Sequence, residues 1–360
     1  MNLKTDLAKH TLNFTFVAGT SRGTLTEHRT YFIILKSNSK IGIGECAPLK
    51  GLSPDYLSTL EQKIKEVLQK LESYSVPNNL SEVDNLIQQL VPVEYPAMRF
   101  GLETALRDLL NGGEREIFSS VLKDGSFPPI PINGLVWMGN RDFMKQQIDE
   151  KLAQGFNCIK LKIGAIDFAT ELSLLAYIRE NYSAEQVTIR VDANGAFSPD
   201  EAMDKIRQLA AYDLHSIEQP IAAGQAKNMQ KLCSKTSLPI ALDEELIGIY
   251  DYQAQTKLLD LIQPQYIILK PTLLGGLAAT EQWIELAEER HIGWWMTSAL
   301  ESNIGLNAIA QFAAYKKVSA PQGLGTGKLY HNNIPSPLQI HQGQLHYNPS
   351  EPWNLSIIQP

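Results

Sequence analysis

Five ionisable residues close five successive apolar runs of the chain: Lys162, Asp192, Glu218, Asp243 and Lys270. Neighbours in this series stand roughly 25 to 30 residues apart, about what one β-strand and one covering helix consume. Three carboxylates with no histidine or thiolate nearby form a hard, all-oxygen ligand set, suited to Mg2+, with Mn2+ as a substitute, rather than to zinc. Such a cation accepts a substrate carboxylate and holds the charge that develops when a neighbouring carbon loses its proton. A lysine that can become neutral is the base for that step.

Side chains alternate faces along a strand, and the face that packs under helices must be apolar. Ile159, Leu161 and Ile163 take that outer face, which sends Lys160 and Lys162 inward. The same rule turns Arg190 and Asp192 inward opposite Ile189 and Val191, and aims Glu218, Asp243 and Lys270 into the same volume. The like charge of Lys160 and partial burial would both lower the pKa of Lys162.

Each residue also has an ordinary structural reading. Asp192 suits a helix N-cap or a turn, and Glu218 before Gln219 and Pro220 suits a loop. Asp243 with Glu244 and Glu245 suits a solvated acidic turn, and Lys160 and Lys162 suit the wet face of an edge strand. Taken together these readings weaken, because lysines buried without partners are costly and three carboxylates between them supply compensation.

The elements that position these residues fall into two regimes. Thr30–Lys36 and Lys40–Ala47 read as a hairpin turning at Ser37, Asn38 and Ser39, with Leu12–Val17 as a third antiparallel strand. The stretch from Gly19 to Gly23 between them is a polar loop. Helical patterns follow at 55–72, 81–90 and 96–111. From Pro129 onward, short β-rich runs alternate with amphipathic helices: Ile130–Gly134, Cys158–Ile163, Val187–Asp192, Ser216–Glu218, Ile240–Asp243, Tyr266–Lys270, Gly293–Thr297 and a weaker run at Ala320–Leu324. Ser198, Pro199 and Glu201 spell an N-cap, a proline at N1 and a capping box. The expected fold is α/β: a (β/α)8, TIM-like barrel over residues 126–328, preceded by an α+β module over 1–125. A C-terminal segment, 329–360, returns to that module.

A chain of 360 residues with 44% hydrophobic and 20% charged content is ordinary for a globular protein. A net charge of −7 speaks against nucleic acid and anionic membranes as partners. No apolar run approaches the ~20 residues of a membrane span. The first residues lack a secretion signal, and three scattered cysteines, Cys46, Cys158 and Cys233, form neither a disulfide framework nor a zinc site. A reducing, cytoplasmic setting is expected, with a small carboxylate as substrate and the oligomeric state, homo-oligomer included, left open.

The series Lys160, Lys162, Asp192, Glu218, Asp243, Lys270 resembles the enolase superfamily, in the branch of muconate lactonising enzymes, dipeptide epimerases and o-succinylbenzoate synthases. Three segments are most similar to the o-succinylbenzoate synthase group: Gly44–Leu49 with Gly51–Ser53, Leu269–Thr272, and Ser298–Leu306. Gln322–Gly327 is similar to that group's substrate loop. The resemblance implies metal ligands at Asp192, Glu218 and Asp243, acid/base lysines at Lys162 and Lys270, and an auxiliary Lys160. It also implies an N-terminal capping domain. Alternation with Trp295 and Thr297 turns Ser298 inward, either to hydrogen-bond a substrate carboxylate or to serve as a plain cap. Arg22 in the Gly19–Gly23 stretch, Asn194 and Gly323 are expected to contact substrate. The implied reaction is dehydration of a succinyl-bearing hydroxycyclohexadiene carboxylate, a step of menaquinone synthesis.

Rivals share the same intermediate. N-acylamino acid racemisation needs both lysines as acid/bases, and dipeptide epimerisation would call for an Asp-x-Asp pair where Gln322–Gly327 has no acid. Muconate-type cycloisomerisation is weaker, and a catalytically silent barrel serving as a scaffold would have a broken ring. Gly275–Gly276 reads as a plain turn rather than a phosphate loop. Trp294 and Trp295 read as packing, and the seven histidines, which show no ligand spacing, are expected at the surface.

Overall fold

The computed structural model describes residues 3–20, 23–122 and 125–358. Arg22 lies outside them. Three long antiparallel strands open the chain: β1 (Lys4–Thr20), β2 (Gly23–Ser37) and β3 (Lys40–Cys46). The first is far longer than the expected Leu12–Val17, because its backbone pairs with β2 from Lys4↔Lys36 to Thr20↔Gly23, with a register shift between Asn13 and Ala18. Asn38 turns the β2–β3 hairpin at φ 54°, a left-handed conformation that asparagine tolerates.

Helices α1 (Leu60–Leu71), α2 (Leu80–Leu90) and α3 (Pro96–Leu110) follow, the first starting later than position 55. Their apolar faces and the inner face of the sheet form one core that includes Ile33, Leu35, Ile64, Leu68, Leu102 and Leu106. Close approach of α3 to β3 depends on glycine. A Cβ at Gly44 would lie 1.9 Å from the Gly101 carbonyl oxygen and 2.6 Å from the Ala105 amide.

The second regime is a curled parallel sheet of seven strands, each joined to the next through at least one helix. The strands are β5 (Gly134–Val136), β6 (Cys158–Lys162), β7 (Thr188–Asp192), β8 (Ser216–Glu218), β9 (Ile240–Leu242), β10 (Tyr266–Leu269) and β11 (Gly293–Met296), in that spatial order. Between them lie α4 (Arg141–Ala153), α5 (Phe168–Asn181), α6 (Pro199–Leu209), α7 (Ala226–Lys235), α8 (Tyr252–Ile262), and the pair α9 (Pro271–Leu274) and α10 (Leu277–Glu288). Helix α11 (Asn303–Tyr315) follows β11. Ser198 caps α6 with the capping box complete through Glu201.

Two expected strands need correction. Ile130–Gly134 is not one strand: β4 (Ile130–Pro131) pairs antiparallel with β13 (Gln344–Tyr347), whose hairpin partner is β12 (Leu338–His341), and only Gly134 onward joins the parallel sheet. The run at Ala320–Leu324 forms no strand. Its Gln322 and Gly323 still make parallel bridges, to Ile132 and Thr297 respectively, at the two edges of the sheet. The C-terminal segment reaches both regimes: β13 pairs with β4, Asn332 Oδ1 accepts from the Asn13 amide at 2.8 Å, and Ile334 and Ile358 pack with Phe32 and Ile34.

All three cysteines are free and buried, and no helix of the described residues is long and apolar enough to cross a membrane. Gly275 and Gly276 form the turn ahead of α10, whose first amides donate to Glu103 from α3: Leu277 N at 2.7 Å and Ala278 N at 3.2 Å. The anion at this helix start is therefore a side chain. Trp295 is buried, with the Arg190 guanidinium 3.9 Å from its ring centre.

The surface expectation fails for His28, which is buried in β2, and for His215, which packs against Tyr266 and Trp295. Burial lowers both from 6.5 to about 4. The unfolded chain therefore binds more protons than the folded one below pH 6.5, so these groups cost stability as pH falls from 6.5 toward 4 and nothing above that window. Urea midpoints measured across that range should show His28→Leu gaining on the parent as pH falls, because the variant lacks this cost. A difference between the two that stays constant with pH would mean that His28 titrates normally. Separately, Gly44→Ala should lower stability at pH 7 by about 1–3 kcal/mol, the usual range for forcing an extra methyl into a closed contact, read as a drop in the urea midpoint.

Candidate active site

The strand ends bring the five residues and Lys160 together. Lys160 pairs directly with Asp192↔Glu218 neighbours: its Nζ lies 2.9 Å from Asp192 Oδ2 and 2.6 Å from Glu218 Oε2. Lys162 Nζ contacts Asp192 Oδ2 at 3.0 Å and Asn194 Oδ1 at 2.8 Å, with the Trp137 ring centre 5.9 Å away. Lys270 Nζ hydrogen-bonds Asp243 Oδ2. All six side chains are at most 12% exposed. The alternation rule held because the outer faces of β6, β7 and β10 belong to the apolar core, where Ile159, Leu161, Ile189, Val191 and Leu269 sit.

The charges act on one another strongly in this dry volume. For Lys162, burial and the charges of Lys160 and Lys270 outweigh Asp192 and hold the ammonium below its ordinary 10.5. Burial acts the same way on Lys160 and Lys270, but the carboxylates beside them, Asp192 and Glu218 for the first and Asp243 and Glu218 for the second, prevail and raise both. Burial opposes ionisation of Asp192, yet Lys160 and Lys162 hold it well below the carboxylate range. Glu218 goes the other way, pushed up to about 8 by burial and by the Asp192 charge.

Among the described residues, no three His, Cys, Asp or Glu side chains stand ready in metal-ligand geometry. Lysine ammonium groups sit among the carboxylates instead. The residues nevertheless fit a hard divalent cation. Glu218 Oε1 is buried with no hydrogen-bond partner, and its raised pKa is the response of a carboxylate short of positive charge. The three carboxylates end or directly follow the neighbouring strands β7, β8 and β9.

A cavity of ≈1100 Å3 opens over this cluster, lined by Lys160, Lys162, Asp192, Asn194 and Lys270. Ser298 and Gly323 line it too, whereas Glu218 and Asp243 are not part of its wall. From the N-terminal module, Phe16, Leu25, Leu49, Gly51 and Leu52 complete the lining. A Cβ at Gly323 would lie 2.5 Å from Thr297 Oγ1, so glycine is what fits at that wall.

Asn194 proves to be a partner of the base candidate as well as part of the wall. It receives Lys162 through Oδ1, and its Nδ2 donates to Glu244 Oε1 at 3.2 Å. Gln219, at φ 38°, accepts from the Asp243 amide at 3.1 Å and fixes the loop behind that carboxylate. Sequence reading missed Trp137, Gln219 and Glu244 as parts of the site, since none stands at an inward strand position. The dense run Asp243, Glu244, Glu245 was the available signal for Glu244.

The family described as enolase C-terminal domain-like matches residues 144–352. The o-succinylbenzoate synthase of Desulfotalea psychrophila is 48% identical over 349 residues, 91% of this chain and 94% of that protein. The chain belongs to the enolase superfamily. The crystal structure of MenC from Desulfotalea psychrophila LSv54 matches with a TM-score of 0.87 and 43% identity, over 96% of this chain and 99% of that one. At the level of fold alone, the dipeptide epimerase of Enterococcus faecalis V583, solved with Mg and the dipeptide L-Leu-L-Tyr, matches with a TM-score of 0.83 and 19% identity, over 99% of each chain.

For an enolase-superfamily chain in which Lys162 removes a proton from carbon, kcat/KM rises with pH until Lys162 is neutral, and levels off below the ordinary lysine value of 10.5. Lys160→Met removes one of the charges that lowers Lys162, so the rise should move to higher pH. A rise that stays in place or moves down would show that Lys160 does not act on Lys162.

Proposed function

We propose that this chain is a Mg2+-dependent o-succinylbenzoate synthase, dehydrating a succinyl-bearing hydroxycyclohexadiene carboxylate in menaquinone synthesis. The observation that carries the reading is the arrangement at the strand ends. Lys162, held toward neutrality, faces a carboxylate cluster short of positive charge, in a chain 48% identical to the Desulfotalea psychrophila enzyme. In this reading the parallel sheet is a (β/α)8 barrel over 126–328, with Gln322 and Gly323 in the place of an eighth strand. Residues 1–125 form a capping domain whose Leu49–Leu52 loop covers the mouth, and 329–360 returns to it. The protein works on a small carboxylate in the cytoplasm.

Asp192, Glu218 and Asp243 would hold Mg2+, which supplies Lewis-acid stabilisation of negative charge on the substrate carboxylate. Neutral Lys162 removes the proton on the carbon next to that carboxylate, and the C–H electron pair moves into an enediolate. The C–O bond to the ring hydroxyl then breaks, and the Lys162 ammonium returns its proton to the departing oxygen as water. Lys160, paired with two carboxylates, stays charged and holds them in place. Lys270, paired with Asp243, contributes its charge from the other side of the site.

That asymmetry favours dehydration over racemisation. Racemisation of an N-acylamino acid needs a base on each face, but burial biases Lys162 toward the neutral form whereas Asp243 and Glu218 raise Lys270. Turnover of both substrate types, with and without a chelator, tests the reading, and full activity in excess chelator would sink it. Lys162→Arg should abolish dehydration, since arginine cannot become neutral at working pH. Lys270→Arg keeps the charge and should retain measurable dehydration while losing any racemisation. A Lys270→Arg protein that racemised at the parent rate would overturn the division of roles.

A further inference from the structure

Ser298 and Thr326 line the cavity together. The Ser298 hydroxyl is engaged on every side: Oγ lies 2.5 Å from Glu301 Oε2, 3.0 Å from the Leu300 amide nitrogen and 3.0 Å from Thr326 Oγ1. A hydroxyl has one proton and two lone pairs. The Leu300 amide can only donate. Glu301 Oε2 also receives the Ala299 amide at 2.8 Å, so it acts as an acceptor toward Ser298 too. A proton on this carboxyl would sit on Oε1, where Thr272 Oγ1 is its partner, and would leave Oε2 accepting. The single proton of Ser298 is therefore committed to Glu301, and Thr326 must donate to Ser298. The chain of hydroxyls runs away from the cavity, from Thr326 through Ser298 to Glu301, and what Thr326 keeps for a ligand is lone pairs.

We infer that Glu301 is a positioning residue that makes this wall of the cavity a hydrogen-bond acceptor, matched to a donor on the substrate. Under the reaction proposed above, on which this inference rests, that donor is the ring hydroxyl. Glu301 is fully buried and anchored from two elements, by Thr272 just beyond Lys270 and by Ser298 beyond β11, so the direction of the chain does not depend on a mobile group. Ser298 is then not the donor to a substrate carboxylate that alternation with Trp295 and Thr297 allows. Its proton points the other way.

The test uses the difference between substrate and product, because o-succinylbenzoate has lost the hydroxyl. Steady-state kinetics of the dehydration are compared with calorimetric Kd values for o-succinylbenzoate, in full-length protein with Mg2+. Thr326→Val removes the acceptor and should raise KM about tenfold, the usual scale for one lost hydrogen bond in a closed site, while the product Kd moves less than about twofold. Glu301→Leu frees the Ser298 proton to turn toward Thr326 and should raise KM similarly. Glu301→Gln should restore KM, because its carbonyl takes the position facing the Ala299 amide and its NH2 faces Thr272, whose hydroxyl can turn to accept. Thermal melting identifies any variant that fails to fold, and Thr326→Val, nearly isosteric, keeps the comparison available if Glu301→Leu unfolds. Equal weakening of substrate and product by Thr326→Val, or a parent-like KM, would overturn the inference. A parent protein with no dehydration activity would overturn the reaction itself, and this inference with it.

Discussion

Everything at the strand ends depends on the mutual compensation of buried charge. Lys160, Lys162 and Lys270 face Asp192, Glu218 and Asp243, three cations against three anions with little water to screen them. Removing any one leaves an uncompensated charge in a medium where that is expensive. The balance is not even, however. Asp192 is shared by two lysines, whereas Glu218 keeps one oxygen without a partner and is pushed toward protonation. A divalent cation among the carboxylates would relieve Glu218 and, by adding positive charge, would favour both loss of the Lys162 proton and arrival of an anionic substrate. The same electrostatics that stabilise the cluster thus set the direction in which it is ready to change.

The sheet was legible wherever side-chain alternation ran under a helix. β6 through β11 lie within a residue or so of their expected limits, because Ile, Leu and Val on the outer face leave only one way for the charges to point. Legibility failed where pairing partners are distant in sequence. Ile130–Pro131 is apolar enough for a sheet strand, but its backbone is taken by Gln344–Leu345 from the far end of the chain. The length of β1 is likewise fixed by β2 rather than by its own alternation. His28 looked like a surface residue because one histidine in a mixed strand carries no periodic signal.

The residues that sequence reading passed over are mostly buried carboxylates engaging backbone amides and hydroxyls. Glu103 caps α10 from α3. Glu45, at the end of β3, accepts from the Ser302 amide at 2.9 Å and the Gly305 amide at 2.8 Å, capping α11 across the two regimes of the fold. Glu301 lies just ahead of the same helix. Glu45 and Glu301 fall in segments marked by the resemblance, but nothing in the sequence marks any of the three as a cap or anchor. Their partners are backbone N–H groups, which every residue except proline carries, so no pattern of side chains could reveal them.

This placement ties the N-terminal module to the wall of the cavity. Glu45 holds Ser302, one residue beyond Glu301, and Glu301 holds Ser298 and Thr272. Four residues after Glu45 begins the Leu49–Leu52 loop that lines the cavity. Burial pushes the Glu45 carboxyl up to about 7, against the pull of the Ser302 and Gly305 hydrogen bonds. Its position is set by hydrogen-bond donors from two sides: Ser302 and Gly305 at the start of α11, and the Thr30 hydroxyl of β2 at 2.8 Å. Because the loop follows the strand on which Glu45 sits, its position is referenced to the start of α11, which Glu301 directly precedes. A change in the loop or in the wall can therefore alter what the cavity accepts without touching the charged strand ends, since both lie outside β6 to β10.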